Sequence, residues 1–374
     1  MRAHLKPTSW SRSATHSKSN SGQLLTAEPS RTASTVNVGA VSFSNPLLPF
    51  EEIEAAAGRL AGVTRRTPLL TSRTIDEMSQ RAVVMKAENF QCTGSFKMRG
   101  AYNAIAALKD DGVLDDGTSI VTFSSGNHGQ AVARSAQLLE VRATVVMPSD
   151  APEVKRSAVR SYGATIVEYD RVAEDREEVA TAVAARLGAT IVPPFNNHYV
   201  IAGQGTCGKE IIEDSPPLDA VAVCLGGGGL LSGIATAFSA MSPGTKVIGV
   251  EPATANDGQM SLEAGKLMVI DQPRTIADGQ ATRSLGDLTF AVIKQRVNKI
   301  VTVTESEIVE AMRLCFDRLR IVVEPSGATA LAAVMAGKVG SEGDRVAATL
   351  SGGNVDRARF ARLLVDGAAP ETTG

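Results

Sequence analysis

The segment AVAVCLGGGGLLSGIATAF, Ala220 to Phe238, decides the fold. Its first part, AVAVCL (220–225), is a short apolar run with the length of a buried strand. Four glycines follow without a break, Gly226, Gly227, Gly228 and Gly229. A helical pattern then begins. A strand that passes through a glycine turn straight into a helix is the start of a parallel crossover. The glycines also read as a phosphate cradle, because bare backbone N–H groups can approach an anion and the helix N-terminus adds partial positive charge. This is not a Walker loop, since no G-K-[ST] follows. Nor is it the Rossmann pattern: the next strand does end in an acid, Glu251, but inside a different, polar turn. A packing turn is the alternative reading, yet four consecutive glycines cost much chain entropy for packing alone.

Outward from this segment the same alternation continues. Strands are predicted at 82–88, 119–124, 143–148, 164–169, 246–251, 299–304 and 346–351, and helices at 129–140 and 174–188. Alternating strands and helices predict an α/β chain with a mostly parallel sheet covered on both faces. Polar turns follow several strands: SSGNHGQ (124–130), EPATAND (251–257) and SGGN (351–354), besides the glycine run. Ligands of such sheets bind beyond the strands' carboxyl ends. The four turns are therefore expected to gather at one edge of the sheet.

Composition narrows the function. The 374 residues are 43% hydrophobic and 21% charged, as in a soluble protein with a large core, and the net charge of -2 gives no nucleic-acid footprint. No apolar run is long enough to span a bilayer, so no membrane role is expected. Cys92, Cys207, Cys224 and Cys315 form no C-x-x-C pair, which favours free thiols. Only His128 and His198 lie within the part expected to fold, against a His-rich metal centre. The first 45 residues are rich in Ser, Thr and Arg, with Glu28 the only acid. They read equally as an organelle transit peptide or as an extension without an address.

Each turn has a chemical reading and a plainer one. In TGSFKMRGA (93–101), burial beside Phe96 would lower the pKa of Lys97 and make its amine a nucleophile able to form a Schiff base; most lysines are simply solvated. Ser124, Asn127 and nearby N–H groups could grip a carboxylate, or could merely cap a helix. His128 alone reads as a structural hydrogen-bonder. Ser351, at a strand end, is placed to meet a ring nitrogen, or belongs to an ordinary turn. Glu251, the carbonyl of Ala255 and Asp257 are hard oxygen ligands suited to Mg²⁺, Ca²⁺ or K⁺, or a solvated acidic turn. A phosphate cradle, a Schiff-base lysine, a carboxylate grip and a ring-nitrogen partner together describe pyridoxal 5′-phosphate.

With these motifs in hand the chain resembles the serine/threonine dehydratase and serine racemase family. These are fold-type II pyridoxal-phosphate enzymes, tryptophan synthase β-like, and they include threo-3-hydroxyaspartate dehydratase-like members. The resemblance runs from about Pro46 to Leu364 through TPL (67–69), GSFKMRGA, SSGNHGQ, IAGQGT (201–206), GGGGLLSG, EPATAND, TIADG (275–279), VEPSGA (323–328) and LSGGNVD. It implies that Lys97 carries the cofactor and removes the α-proton. Phe96 packs by the ring, Asn127 bonds its 3′-oxygen, Gly226 to Gly229 hold the phosphate and Ser351 faces the pyridine nitrogen. Ser124, Asn127 and His128 flank the substrate carboxylate. Glu251, Ala255 and Asp257 match the racemase branch's divalent-cation site, for which Mg²⁺ or another divalent cation is expected.

The activity implied is β-elimination of water from L-serine, L-threonine or threo-3-hydroxyaspartate, giving a 2-oxo acid and ammonia. A serine hydroxyl cannot protonate the pyridine as a carboxylate would, which favours rapid loss of the β-hydroxyl. Ser125 matches the racemase acid/base opposite Lys97, or only lines the pocket. Arg283, after TIADG, would pair with a second substrate carboxylate, or lie on the surface. Loss of hydroxyaspartate turnover well beyond that of serine in Arg283→Ala tests this; equal losses sink it.

A large domain is expected from 46–118 plus 197–366, a small one from 119–196, and a tail from 367–374, with the cofactor between the domains. A homodimer is expected by resemblance. The unpaired cysteines suit a reducing compartment, so a cytoplasmic location is expected, or a mitochondrial or plastid one if residues 1–45 are a transit peptide. The rival readings are a cysteine synthase-like β-replacement enzyme, a non-catalytic cofactor-binding protein and a nucleotide-binding domain.

Overall fold

The computed structural model describes residues 47–368, apart from 116, 125 and 152. Side chains along a strand alternate between its faces, and here each face meets its own core. In one sheet, Ala220, Ala222, Ile248, Val250, Val346 and Ala348 face the helices Glu305–Leu314 and Pro325–Met335. The intervening Val221, Val223, Val247 and Ala347 face the helices Gly229–Met241 and Asp287–Arg296. In a second sheet, Ile120, Val145 and Met147 face the helices Lys97–Asp110 and Asn127–Leu138, while Val121, Phe123 and Val146 face the helix Arg176–Leu187. Burial on both faces is what turns parallel strands into near-continuous apolar runs.

The strands are β1 (Leu69–Leu70), β2 (Ala82–Ala87), β3 (Ser119–Phe123), β4 (Arg142–Pro148), β5 (Thr165–Tyr169), β6 (Thr190–Ile191), β7 (Ala220–Cys224), β8 (Lys246–Pro252), β9 (Lys299–Val303) and β10 (Arg345–Leu350). The larger sheet has the order β1-β2-β10-β7-β8-β9 and the smaller β5-β4-β3-β6. Every pairing is parallel except β1 with β2. All eight strands expected from sequence are present, with ends shifted by one residue; β1 and β6 were not foreseen.

The expectation of a single sheet edge is corrected. Three of the four polar turns leave the larger sheet, after β7, β8 and β10. The SSGNHG turn leaves β3, which pairs only with β4 and β6. It reaches the others through side chains rather than a shared strand edge.

Close helix packing sets two helix starts side by side. A Cβ on Gly203 would lie 2.5 Å from Arg99 O, and one on Gly233 would lie 2.5 Å from Gly205 N. The helix His198–Asp214 can therefore touch both the Lys97 and the Gly229 helices, backbone to backbone. Buried charge reinforces this contact. Arg99 forks onto Glu88 at 2.8 and 2.9 Å and onto Glu210 at 2.7 and 2.8 Å. Lys86 adds a 2.7 Å pair to Glu210. No helix among the described residues is long and apolar enough to cross a membrane.

Candidate active site

Lys97 opens its helix, and the chain before it is sewn to the turn after β10. Phe96 N donates to Ser351 O at 3.1 Å, Gly353 N to Gly94 O at 2.9 Å, and Ser95 bridges Gly352. Lys97 Nζ donates to Pro194 O at 2.9 Å and sits 5.0 Å from the Phe96 ring centre. Some solvent still reaches it, but protein atoms surround the amine. Withdrawal from water lowers it to about 8, against an opposing effect of the Cys224 thiol.

The glycine run meets the same Pro194-Phe195 pair. A Cβ on Gly227 would fall 2.2 Å from the Phe195 ring, and one on Gly229 would fall 3.1 Å from Phe195 Cβ. Gly228 adopts φ +95°, which a larger residue resists. Thr289 Oγ1 pins the run by donating to Gly227 O at 2.8 Å. Among the described residues nothing accepts from the N–H groups of Gly226 to Gly229. The helix they start has no acid in its first turn. A row of unpaired donors at a helix N-terminus fits a phosphate.

The third wall is polar. Asn354 Nδ2 donates to Thr93 O at 2.7 Å and to Asn127 Oδ1 at 2.8 Å; Asn127 Nδ2 donates to Glu324 Oε1 at 2.7 Å. These bonds join the Lys97 loop, the turns after β3 and β10, and the start of the Pro325 helix. Burial pushes the Glu324 carboxyl up to about 8, with Asp278 adding to the shift. Ser351 is buried; its hydroxyl meets the Cys224 thiol and lies 3.4 Å from Ser326 O.

Residues 60–352 match the family described as pyridoxal-phosphate dependent enzyme. The chain belongs to that family. Over 318 residues it is 48% identical to an L-threo-3-hydroxyaspartate ammonia-lyase of Pseudomonas sp., covering 85% of this chain and 99% of that one. It is 44% identical to a serine racemase of Schizosaccharomyces pombe, covering 86% and 98% of the two chains. The crystal structure of a threonine deaminase from T.th. superposes with a TM-score of 0.77 at 45% identity, covering 82% and 99%.

As a pyridoxal-phosphate dependent enzyme, the chain has the fittings its cofactor needs: an amine of lowered basicity, a phosphate cradle and a free N–H on Asn127. The other sequence-derived residues fall as follows. Ser124 Oγ accepts from Gly126 N at 3.2 Å. The His128 ring is buried, with Nε2 3.1 Å from Val192 O; burial and the nearby Lys97 amine lower it to about 3, so it stays neutral. In this state its ring carries no charge for an anion, which its backbone N–H could still serve. Ser125 lies outside the described residues.

Glu251 caps the helix Asp257–Ala264, accepting from Gly258 N and Gln259 N at 2.9 Å each. Asp257 is fully buried and neither carboxylate oxygen has a partner. An unpaired buried carboxylate next to Glu251 fits a cation better than a solvated turn. Arg283 is exposed and donates through Nε to Ile270 O at 3.2 Å. Its loop touches the cradle elsewhere: a Cβ on Gly226 would lie 3.0 Å from Gly279 O. All four cysteines are free.

Sequence reasoning missed Pro194, Phe195 and Thr289, and it quoted Asn354 only within SGGN, without a role. It quoted Glu324 within VEPSGA without a role. The usable signal was there: a lone acid inside IVVEPSGATALAAV, an otherwise nearly apolar stretch.

Proposed function

We propose that this pyridoxal-phosphate enzyme is a dehydratase-type ammonia-lyase. It removes water from a small 3-hydroxy amino acid to give a 2-oxo acid and ammonia, with L-threo-3-hydroxyaspartate the first candidate substrate and serine racemisation a side activity. The observation that carries the reading is that Lys97 and the glycine run both meet the Pro194-Phe195 pair. That brings an amine of lowered basicity near a row of unpaired N–H groups suited to a phosphate. Bound there, pyridoxal phosphate would supply the electron sink that acidifies an amino acid's α-proton.

The chain's own groups supply the rest. Lys97, with its lowered basicity, takes the α-proton near neutral pH. The N–H groups of Gly226 to Gly229 would hold the phosphate, and Asn127 would offer its remaining N–H to the ring oxygen. Ser351 would meet the ring nitrogen with a hydroxyl, from which that nitrogen gains no full proton. Ser124, Asn127 and the start of the Asn127 helix receive the substrate carboxylate. Glu251, Asp257 and the carbonyl of Ala255 would hold Mg²⁺. Residues 119–196, which contain the smaller sheet, form a small domain that closes over the substrate and excludes water. A homodimer is the proposed assembly. The hydroxyaspartate and racemase readings draw on the relatives' names.

The test is to supply purified protein with L-serine, L-threonine and L-threo-3-hydroxyaspartate separately, with and without Mg²⁺. Oxo acid and the chirality of residual serine are measured. Oxo acid chiefly from hydroxyaspartate supports the first candidate. Oxo acid chiefly from threonine replaces it, and none from any of the three refutes the reading.

A further inference from the structure

Glu324 occupies the N-cap of the Pro325–Met335 helix without capping it. Its carboxyl points instead to Asn127, and only 6% of the residue is exposed. It bonds no cation among the described residues. Lys155 and Arg359 face it but lie against Asp278, at 3.4 and 3.8 Å.

The hydrogen bonds around it run in one direction. Thr93 O can only accept, so Asn354 must present its NH₂ there. The same NH₂ also donates to Asn127, so Asn127 must present its oxygen to Asn354. Its NH₂ then faces Glu324, which must accept. One N–H of Asn127 is left over. A backbone carbonyl thus sets the polarity of the whole chain, and Glu324 closes it. The turn is shaped for this carboxyl: a Cβ on Gly352 would lie 2.2 Å from Glu324 Oε1, while Gly352 O accepts from Glu324 N at 3.0 Å.

We infer that Glu324 is a positioning residue for the cofactor, closing the hydrogen-bonded chain that holds the Asn127 amide in one orientation. The cofactor side of this inference rests on the role proposed for Asn127. The groups facing the carboxyl agree. Burial and Asp278 favour the protonated form; Asn127, Lys155 and Arg359 oppose it, and the balance lies at about 8. Cys224 also faces it, and its thiol is pushed further up by Glu324. Once ionised, the carboxylate would place a negative charge beside an anionic ring oxygen and weaken cofactor binding.

The test is the dissociation constant of pyridoxal phosphate, read from cofactor absorbance between about pH 6 and pH 10, for wild type, Glu324→Gln and Glu324→Ala. All three share Lys97, so its own titration cancels when the constants are taken as ratios. Glutamine keeps an acceptor for Asn127 but cannot ionise. Expected is Glu324→Gln binding within about threefold of wild type at pH 7, with the ratio moving in the variant's favour by about threefold or more as pH passes 8. Glu324→Ala should bind about tenfold more weakly at pH 7. A wild-type to Gln ratio constant with pH, or an Ala variant that binds like wild type, overturns the inference. No substrate is used, so failure of the substrate reading leaves this result intact.

Discussion

Lys97 should react as a neutral amine more than two pH units below an ordinary lysine. The perturbation is pH, applied to the apoenzyme. Burial penalises the ammonium form, so the amine falls from 10.5 to about 8. At pH 7 an amine at 10.5 is about 0.03% neutral and one at 8 about 9% neutral, a gain of about 300-fold in nucleophile. Brief labelling with fluorodinitrobenzene, followed by mass spectrometry of the peptide that carries Lys97, measures that fraction, with N-acetyl-lysine as the reference amine. Labelling of Lys97 should rise about tenfold per unit up to pH 8 and then level off, while the reference keeps rising to above pH 10. Restricted access lowers the absolute rate of Lys97 but not the pH of its midpoint. The same shift makes folding of the apoenzyme pH-dependent. A lysine whose folded pKa is depressed contributes stability that is present above 10.5 and lost as pH falls through 8. A midpoint for Lys97 at or above 10 would refute the argument that burial activates this amine.

Two further perturbations test the frame around it. Gly227→Ala puts a methyl 2.2 Å from the Phe195 ring. It should cost about 1–3 kcal/mol by calorimetry and weaken pyridoxal phosphate at least about tenfold by absorbance titration, since the ring cannot move without disturbing Pro194. Glu210→Ala strips one of two carboxylates from Arg99 and the 2.7 Å partner of Lys86, both fully buried. Because Glu88 still holds Arg99, the loss should lie near the lower end of the ~3–5 kcal/mol range for a broken buried pair, read by urea unfolding.

The strands were legible because each is a run of five to seven residues of apolar, often β-branched character. That pattern is local, and chain chemistry expresses it directly. Which strand lies beside which is not local. Nothing in SIVTF says that it pairs with β4 and β6 and never with β7, so the SSGNHG turn was assigned to the wrong sheet edge. β1 and β6 are two residues each, too short to show any period. IAGQGT could be quoted but not explained until Gly203 and Gly205 were seen to admit two neighbouring helices.

The site divides along the same line. Lys97 and the glycine run could be read because each announces a cost, a buried amine and lost chain entropy; Asp257 announced none, since EPATAND also reads as a solvated acidic turn and its burial emerges only in the fold. Such costs persist only where something repays them. Asn354, Phe195 and Thr289 announce none, since each becomes useful only beside a residue 62 to 261 positions away or across a packed ring. Glu324 falls between. An acid preceding a helix-starting proline in an apolar stretch has nowhere obvious to place its charge, and that could have been noticed. What could not be foreseen was the direction of its hydrogen bond, because that is dictated from the far end, by Thr93 O through Asn354 and Asn127. A donor-acceptor polarity fixed by one backbone carbonyl is a property of the folded network, and it decides which N–H of Asn127 is left over.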